Sequence, residues 1–382
     1  MPDVVLVGGG VIGLTLAYEL SARGKSVLLL EQGEIGKEAS WAGAGMLPPG
    51  NFSEARTPEA LLRGLSAQMW EEFSLSLREQ TGIDNGYRKC GSLSVGDEED
   101  TPRLTAEIGQ WQKEKIEVQP LEEDELQEIE PLLHRDWMTG YHLPEGAQVR
   151  NPRHLQALHA ACLAQGVHIA TGTQVNGFEM DGERVASVKT LLGKVTAEQF
   201  VICNGAWAGQ LWPIQDPNVF VRPVRGQMVL LNQLPAAISH VIEWGHQYLV
   251  PREGGRVLVG STMEHAGFEK RNTVEGVLDL LHLAYRLVPH LAEATVEKTW
   301  SGLRPASADG LPYLGAVPDT ENLFVAAGHF RTGLQMSPGT GKIIAQLLCG
   351  EDPEIPLQPF SCDLEIRRQH SETVIDAAQE GG

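Results

Sequence analysis

The chain has 382 residues, with 30 Lys or Arg against 50 Asp or Glu, which gives a formal net charge of −20. This balance argues against a nucleic-acid-binding surface and a polybasic membrane-binding surface, because both depend on clustered positive charge. Hydrophobic residues make up 42% and charged residues 21%, as in a folded globular protein with enough chain for two or three domains.

We predict a cytoplasmic protein with no membrane span and no metal site. The first residues, Met1 to Asp3, carry no cationic segment of the kind that opens a secretory signal. No apolar run reaches the ~18 residues needed to cross a bilayer. The five cysteines are scattered without a CxxC spacing, which is typical of reduced thiols and gives no support for a zinc site.

The N-terminal segment predicts a strand, a helix and a second strand. Val4–Val7 is a β-branched, apolar run typical of a strand buried on both faces of a parallel sheet. A helical pattern runs from Val11 to Arg23, and Gly24 is suited to end it. A second apolar strand runs from Ser26 to Leu30. Because such crossovers are right-handed, the two strands should be neighbours in one sheet.

Three glycines between the first strand and helix form the pattern G-x-G-x-x-G: Gly8, Gly10 and Gly13. In a dinucleotide fold the first permits a tight turn, the second lets the backbone approach a pyrophosphate, and the third allows close helix packing. The helix dipole then attracts the phosphates. Glu31 ends the second strand, where it can bind a ribose and repel a 2′-phosphate. A glycine-rich turn that only packs tightly is the alternative.

A run of small residues, Ala39–Leu47, follows the second strand. Small side chains let the backbone lie against a flat ligand such as a flavin, although an ordinary Ala/Gly loop fits equally well. Further along, helical patterns cover Pro58 to Gln80, His154 to Gln165, Glu275 to Leu291 and Gly341 to Cys349. Strands are predicted at residues 167–169 and 200–203, and antiparallel strands within 219–231 and 247–262.

With these residues, the chain resembles the D-amino-acid oxidase-like FAD-dependent oxidoreductases, and among them the glycine oxidases of thiamine biosynthesis. The similarity extends from Val4 to about Leu347. Its further motifs are Asn204–Trp207, Pro223–Gln227, His246–Arg252, Val259–Met263, Trp300–Pro305, Asp309–Pro312 and Gly328–Gly333.

The resemblance implies an α/β fold: a doubly wound, Rossmann-like FAD-binding domain, interrupted by an α+β substrate domain with an antiparallel sheet. We place the FAD-binding domain at residues 1–80, 151–215 and 301–382, and the substrate domain at residues 81–150 and 216–300. FAD should be held non-covalently, because residues 328–341 lack the cysteine that some relatives use to bind flavin covalently.

The resemblance also implies which residues contact the cofactor. Those expected to bind FAD are Gly8, Gly10, Val11, Ile12, Gly13, Glu31, Gln32, Ala39, Ser40, Ala44, Gly45, Met46, Val175, His329, Phe330, Arg331, Thr332, Gly333, Leu334 and Gln335. Substrate contacts are expected at Tyr248, Arg304 and Arg331.

An amino-acid substrate brings a carboxylate into a dry cleft, where its charge must be paired. Arg304 offers a planar fork for two carboxylate oxygens, and Tyr248 can donate a third hydrogen bond. Arg331 could lie near the carboxylate or near the flavin. Met263 is expected to line the pocket. His246 should face the same side of its strand as Tyr248, where a satisfied core histidine is favoured over a catalytic base.

The activity implied is oxidative deamination of glycine or another small amino acid or amine by hydride transfer to flavin. The products are a 2-oxo acid (glyoxylate from glycine), ammonia and H₂O₂, in the service of thiamine thiazole synthesis. The partners are then the amino acid and O₂, and a homo-oligomer is left open. Three alternatives also remain open: a D-amino-acid or sarcosine-type enzyme that uses another electron acceptor, a non-catalytic FAD-binding protein, and a nicotinamide enzyme.

Overall fold

The computed structural model describes residues 1–211 and 219–370. The predicted domain boundary at residues 215 and 216, and the predicted C-terminal residues 371–382 of the FAD-binding domain, lie outside these ranges. Within the described ranges, no helix has both the length and the apolar character needed to cross a membrane.

The helices occur throughout the chain, and residues 364–370 are also helical. They are α1 (Val11–Ala22), α2 (Ala39–Ala42), α3 (Pro58–Thr81), α4 (Thr101–Lys113), α5 (Glu123–Ile129), α6 (Asn151–Ala164), α7 (Ala208–Leu211), α8 (Val274–Leu287) and α9 (Ser337–Leu348).

Six strands form the first sheet, in the order β19–β20–β13–β1–β2–β9. They are β1 (Val4–Val7), β2 (Val27–Leu30), β9 (His168–Ala170), β13 (Gln199–Ile202), β19 (Tyr313–Ala316) and β20 (Leu323–Ala327). All neighbours are parallel except β19 and β20. β1 and β2 pair directly, which confirms the prediction for the first βαβ unit.

Apolar side chains cover both faces of this parallel sheet, because successive residues of a strand point to opposite sides. Leu6 and Leu29 belong to a core that includes residues of α1, α3, α6 and α9. Val5 and Phe200 belong to a second core on the opposite face. That second core includes Val188 from a small antiparallel sheet of β10 (Val175–Asp181), β11 (Arg184–Thr190) and β12 (Gly193–Val195).

Eight strands form a second sheet, in the order β18–β14–β17–β16–β15–β5–β7–β6. They are β5 (Ser92–Gly96), β6 (Gln119–Glu122), β7 (Thr139–Leu143), β14 (Arg222–Asn232), β15 (Val241–Trp244), β16 (Gln247–Arg252), β17 (Arg256–Gly260) and β18 (Thr295–Ala306). Its pairings are antiparallel except for β15 with β5, so we call it the mixed sheet. The remaining strands form a second small sheet: β3 (Met46–Leu47), β4 (Arg88–Lys89) and β8 (Ala147–Gln148).

The two faces of the mixed sheet have different neighbours. One face packs on α8, through residues such as Val229, Leu249 and Leu280. On the other face, Met228 and Tyr248 pack with Ala44 from the segment that follows β2. This second face therefore looks toward the parallel sheet.

Two helix boundaries differ from the predictions by four residues. α8 ends at Leu287 rather than Leu291, and a 3₁₀-helix, Pro289–Glu293, follows it. Pro289 lacks an N–H and disfavours the α conformation in the residue before it. α9 begins at Ser337, four residues before the predicted start, with Pro338 in its first turn, where a missing N–H costs nothing.

Candidate active site

A cavity of about 420 Å³ lies between the two large sheets. At one end it is lined by the carboxyl ends of parallel strands, through Val7, Leu30 and Ala327. At the other end it is lined by the mixed sheet, through Met228 and Arg304. The ends of parallel strands are where α/β sheets bind nucleotides.

The glycine turn after β1 has the close contacts that the motif predicts. Gly8 has φ 115°, and a Cβ there would lie 2.6 Å from the Cα of Asn204. A Cβ on Gly13 would lie 2.0 Å from the carbonyl oxygen of Gly8, so only glycine lets α1 approach the turn this closely. Gly10 precedes α1 and offers no side-chain cap. The first N–H of α1, that of Val11, donates to Oγ of Ser40 at 2.9 Å. The backbone of Gly10, Val11 and Ile12 still lines the cavity at the start of the helix, where a phosphate can bind.

Glu31 is fixed at the end of β2 by two backbone N–H groups. Its Oε2 accepts a hydrogen bond from Gly9 N at 2.7 Å, and its Oε1 accepts one from Gly33 N at 2.8 Å. The residue is only 9% exposed and lines the cavity. Each carboxylate oxygen can accept a further bond, which leaves room for ribose hydroxyls.

The segment of small residues, Ala39–Met46, forms one wall of the cavity. Gly45 has φ 69°, and a Cβ there would lie 2.0 Å from the carbonyl oxygen of Val149. Asn151 donates from Nδ2 to the carbonyl oxygen of Ser40 at 2.7 Å and so holds the segment in place. Backbone rather than side chain therefore faces the cavity here.

The chemistry of this wall fits a dinucleotide that carries a flat ring. Two buried amide oxygens of cavity-lining residues, Oδ1 of Asn151 and Oδ1 of Asn204, have no hydrogen-bond partner among the described residues. Buried polar atoms are nearly always paired, so these oxygens call for donors on a ligand. Together with Glu31 and the start of α1, they match the ribose, pyrophosphate and ring of FAD.

Arg304 and Tyr248 lie at the end of the cavity that the mixed sheet forms. The guanidinium of Arg304 donates to the carbonyl oxygen of Thr262 at 3.1 Å and to the hydroxyl of Ser261. Burial lowers the pKa of Arg304, and the nearby Arg331 acts in the same direction. Two of its five N–H groups donate to these oxygens, and the side chain of Tyr248 also interacts with the guanidinium. The N–H groups that remain can bind a carboxylate.

Two glycines make room for these side chains. A Cβ on Gly260, which pairs with Tyr248 across β16 and β17, would lie 2.6 Å from Cε2 of the tyrosine ring. A Cβ on Gly226 would lie 2.3 Å from Nη1 of Arg304. The hydroxyl of Tyr248 contacts Sδ of Met228 at 3.6 Å, a weak acceptor that a carboxylate would readily replace.

Comparison with known proteins decides the family. The family model described as "FAD dependent oxidoreductase" matches residues 3–347. A glycine oxidase of Pseudomonas putida is 35% identical over 366 residues, which cover 94% of this chain and 98% of that protein. The chain belongs to the FAD-dependent oxidoreductase family. Because the family depends on FAD, the cofactor is FAD and not a nicotinamide, and the predicted α/β fold is confirmed.

Two further relatives are similar to this chain in structure or in sequence. The crystal structure of a glycine oxidase from Geobacillus kaustophilus is 35% identical, covers 94% of this chain and 98% of its own, and has a TM-score of 0.89. A protein of Trichormus variabilis named bifunctional protein ThiO/ThiG is 34% identical, and the match covers 94% of this chain but 54% of that protein.

The structure brings nearly all of the predicted site residues of this FAD-dependent oxidoreductase to the one cavity. Those that line it are Gly8, Gly10, Val11, Ile12, Glu31, Gln32, Ala39, Ser40, Ala44, Gly45, Met46, Val175, Tyr248, Arg304, His329, Phe330, Arg331, Thr332, Gly333, Leu334 and Gln335. Gly13 lies behind the cavity wall and acts through packing.

The predictions that His246 lies on a buried strand face and that Met263 lines the pocket were wrong. His246 is exposed and precedes β16, in the turn after β15, so it is not a core histidine. Its carbonyl oxygen and Nδ1 instead contact the guanidinium of Arg331, at 3.3 and 3.1 Å. Met263 is 49% exposed and lies outside the cavity lining, because the chain has left β17 at Gly260.

Glu243 also lines the cavity, and our sequence reasoning missed it. It lies in β15 directly opposite Tyr248 of β16. Burial raises the pKa of Glu243 to about 7, an effect that Arg331 opposes and Glu107 reinforces. The available signal was a lone acidic residue within the apolar run Val241–Trp244, next to the strand that carries Tyr248.

Proposed function

We propose that this FAD-dependent oxidoreductase is a glycine oxidase, which oxidises glycine to its imine by two electrons and passes these electrons to O₂ to give H₂O₂. Water then hydrolyses the imine to glyoxylate and ammonia. The observation that carries the proposal is that Arg304 and Tyr248 line the same cavity as the nucleotide-binding turn after β1. Two relatives that match nearly the full chain are named glycine oxidase. The relative named ThiO/ThiG supports a role in thiamine thiazole synthesis.

We assign the substrate carboxylate to Arg304. In a cavity that excludes bulk water, a carboxylate needs a charged partner, and a guanidinium supplies two parallel hydrogen bonds. The hydroxyl of Tyr248 adds a third donor. Arg331 is exposed at the cavity wall, where its charge can attract anionic substrates to a protein whose net charge is −20.

We assign the substrate amine to the side of the cavity that carries Glu243. An ionised carboxylate there attracts the ammonium group and can accept its proton, which leaves the neutral amine whose Cα–H bond is oxidised. Bound FAD supplies the two-electron oxidation and the subsequent transfer of electrons to O₂. The work of the protein is to align the substrate, exclude water and remove one proton.

The cellular compartment and the division into domains belong to the same proposal. The five cysteines are free thiols, which supports a reducing compartment such as the cytoplasm. The two large sheets support a division into FAD-binding and substrate domains. However, β18 (Thr295–Ala306) crosses the boundary expected at residues 300 and 301, so we place that boundary after Ala306.

A peroxide assay tests the proposal directly. Purified, FAD-loaded protein is mixed aerobically with glycine, sarcosine, D-alanine or D-proline, and H₂O₂ and the 2-oxo acid are measured together with bleaching of the flavin absorbance. We expect glycine to give equal amounts of peroxide and glyoxylate. If glycine bleaches the flavin without forming peroxide, the electrons go to another acceptor. If no amine in the panel bleaches it, the protein is not an amine oxidase.

A further inference from the structure

A second cavity, of about 250 Å³, lies beside the first and shares Gly43 and Asn151 with it. It lies under the same face of the mixed sheet as the substrate end of the first cavity. Arg252 lies four residues after Tyr248 in β16, and Lys298 lies two residues before Trp300 in β18. Side chains an even number of residues apart in a strand point to the same face, so the two residues of each pair share one face of the mixed sheet.

The wall of this second cavity is strongly cationic. Six of the chain's 30 Lys and Arg residues line it, together with a single acidic residue, Glu253. The six cations are Arg88, Arg150, Arg153, Arg252, Arg256 and Lys298. In a chain of net charge −20, so many cations around one small cavity form a local positive field.

Only two of these cations are neutralised by carboxylates. Arg153 pairs with Glu253 at 3.3 Å, and Arg256 pairs with Glu297 at 2.7 Å. Within the described residues, the other four make no ion pair. Arg88, for example, donates only to the carbonyl oxygen of Pro251, at 3.0 Å.

Arg252 is the most deeply placed cation of the group. Its guanidinium donates to the side chain of Gln148 and to the carbonyl oxygens of Val149 and Ala44, all of them neutral acceptors. Burial lowers the pKa of Arg252 to about 10, and repulsion from Arg88 and Arg150 adds to the effect. A buried positive charge that has only neutral acceptors and lies near two other cations lowers the stability of the fold. An anion bound in the cavity would offset this cost.

Two tryptophans also line this cavity. The indole rings of Trp41 and Trp300 meet edge to face with their centroids 5.4 Å apart. Nζ of Lys298 lies 4.6 Å from the centroid of the Trp41 ring. The cavity therefore combines a flat aromatic surface with unpaired positive charge, and ligands that carry both a ring and an anionic group match that combination.

We propose that this cavity binds a small phosphate ester with a planar ring, whose phosphate lies among Arg88, Arg150 and Arg252. A phosphate carries more charge than a carboxylate and has the oxygen geometry that several guanidinium groups can contact together. The ring would pack on Trp41 and Trp300. The cavity volume of about 250 Å³ has room for one ring and one phosphate group.

Calorimetric titration of the FAD-loaded protein with phenyl phosphate tests the proposal, with benzyl alcohol as the neutral probe. We expect saturable binding of phenyl phosphate, no binding of benzyl alcohol, and weakening by added NaCl. The double variant Arg88→Gln, Arg150→Gln should weaken binding at least about tenfold, because it removes two charged donors. Both residues are exposed, so the fold and flavin absorbance should be retained.

Two further variants decide where the anion binds. Arg135→Gln removes an exposed charge elsewhere on the surface and should leave the affinity unchanged. Arg304→Met removes the anion partner in the first cavity and should also leave it unchanged. The proposal is overturned if phenyl phosphate does not bind, if the Arg88 and Arg150 double variant binds it equally well, or if Arg304→Met abolishes binding.

Discussion

The guanidinium of Arg304 lies directly against the backbone of Gly226, on the neighbouring strand. A Cβ at position 226 would come within 2.3 Å of both Nη1 and Nη2. Because β14 and β18 are paired along eleven residues of β14, the backbone has little freedom to move away. The position of the proposed carboxylate anchor is therefore set by a residue that carries no chemistry of its own.

Gly226→Ala should displace Arg304 and so weaken substrate binding while FAD is retained. We expect KM for glycine to rise by about tenfold or more, since a charged hydrogen bond contributes roughly 1.5–3 kcal/mol. Steady-state peroxide assays and the flavin spectrum are the measurements. Gly109→Ala in α4 is the matched control, because a Cβ there meets nothing within 4 Å. An unchanged KM in Gly226→Ala would mean that Arg304 does not anchor the carboxylate.

Arg304→Met should raise KM for glycine by roughly 10–100-fold without loss of FAD, because the substrate carboxylate loses its charged partner. Arg304→Lys keeps the charge but not the planar fork, so it should recover only part of the loss. The comparison uses initial rates over a wide range of glycine concentrations. Full recovery in the lysine variant would show that charge alone is required and not paired hydrogen bonds.

Glu243 should give a pH dependence near neutrality. Its pKa is raised to about 7, so the carboxyl is neutral below that pH and ionised above it. If it attracts the substrate ammonium and accepts its proton, kcat/KM should rise with pH through about 7. Glu243→Gln should remove this inflection and lower kcat/KM mainly above pH 7. A variant with the wild-type pH profile would exclude Glu243 from the reaction.

The same substitution should affect stability in a pH-dependent way. Because the folded-state pKa of Glu243 lies above its ordinary value, the folded protein binds this proton more tightly than the unfolded chain. The stability penalty of the buried negative charge therefore develops as pH rises from about 4.5 to about 7 and is constant above that range. Thermal unfolding should show Glu243→Gln more stabilised, relative to wild type, at pH 8 than at pH 5. Equal Tm differences at the two pH values would contradict this.

Glu31→Ala should weaken FAD binding by about tenfold or more, because it removes the carboxylate placed for the ribose and releases the N–H groups of Gly9 and Gly33. Recovery of flavin fluorescence on dilution measures the dissociation of FAD. Glu34→Ala is the control, since that carboxylate is 81% exposed on the same loop. Equal FAD retention in both variants would exclude Glu31 as a ribose ligand.

Much of the nucleotide end of the cavity follows from the sequence alone. Gly8, Gly13 and Glu31 lie within one strand–turn–helix–strand unit, where fixed spacing places them because the local geometry repeats in every such unit. The resemblance in motifs extended this to Arg304 and Tyr248, which lie far apart in the chain but within recognisable segments.

The tertiary structure decided the remaining features. Glu243 meets Tyr248 through the register of β15 with β16, and His246 falls in the turn between these strands rather than on a buried face. The cationic cavity collects side chains from residues 88–298, which no local pattern connects. Periodicity reveals which residues are buried, but strand register and sheet order determine which distant side chains meet, because a shift of one residue turns every side chain to the opposite face.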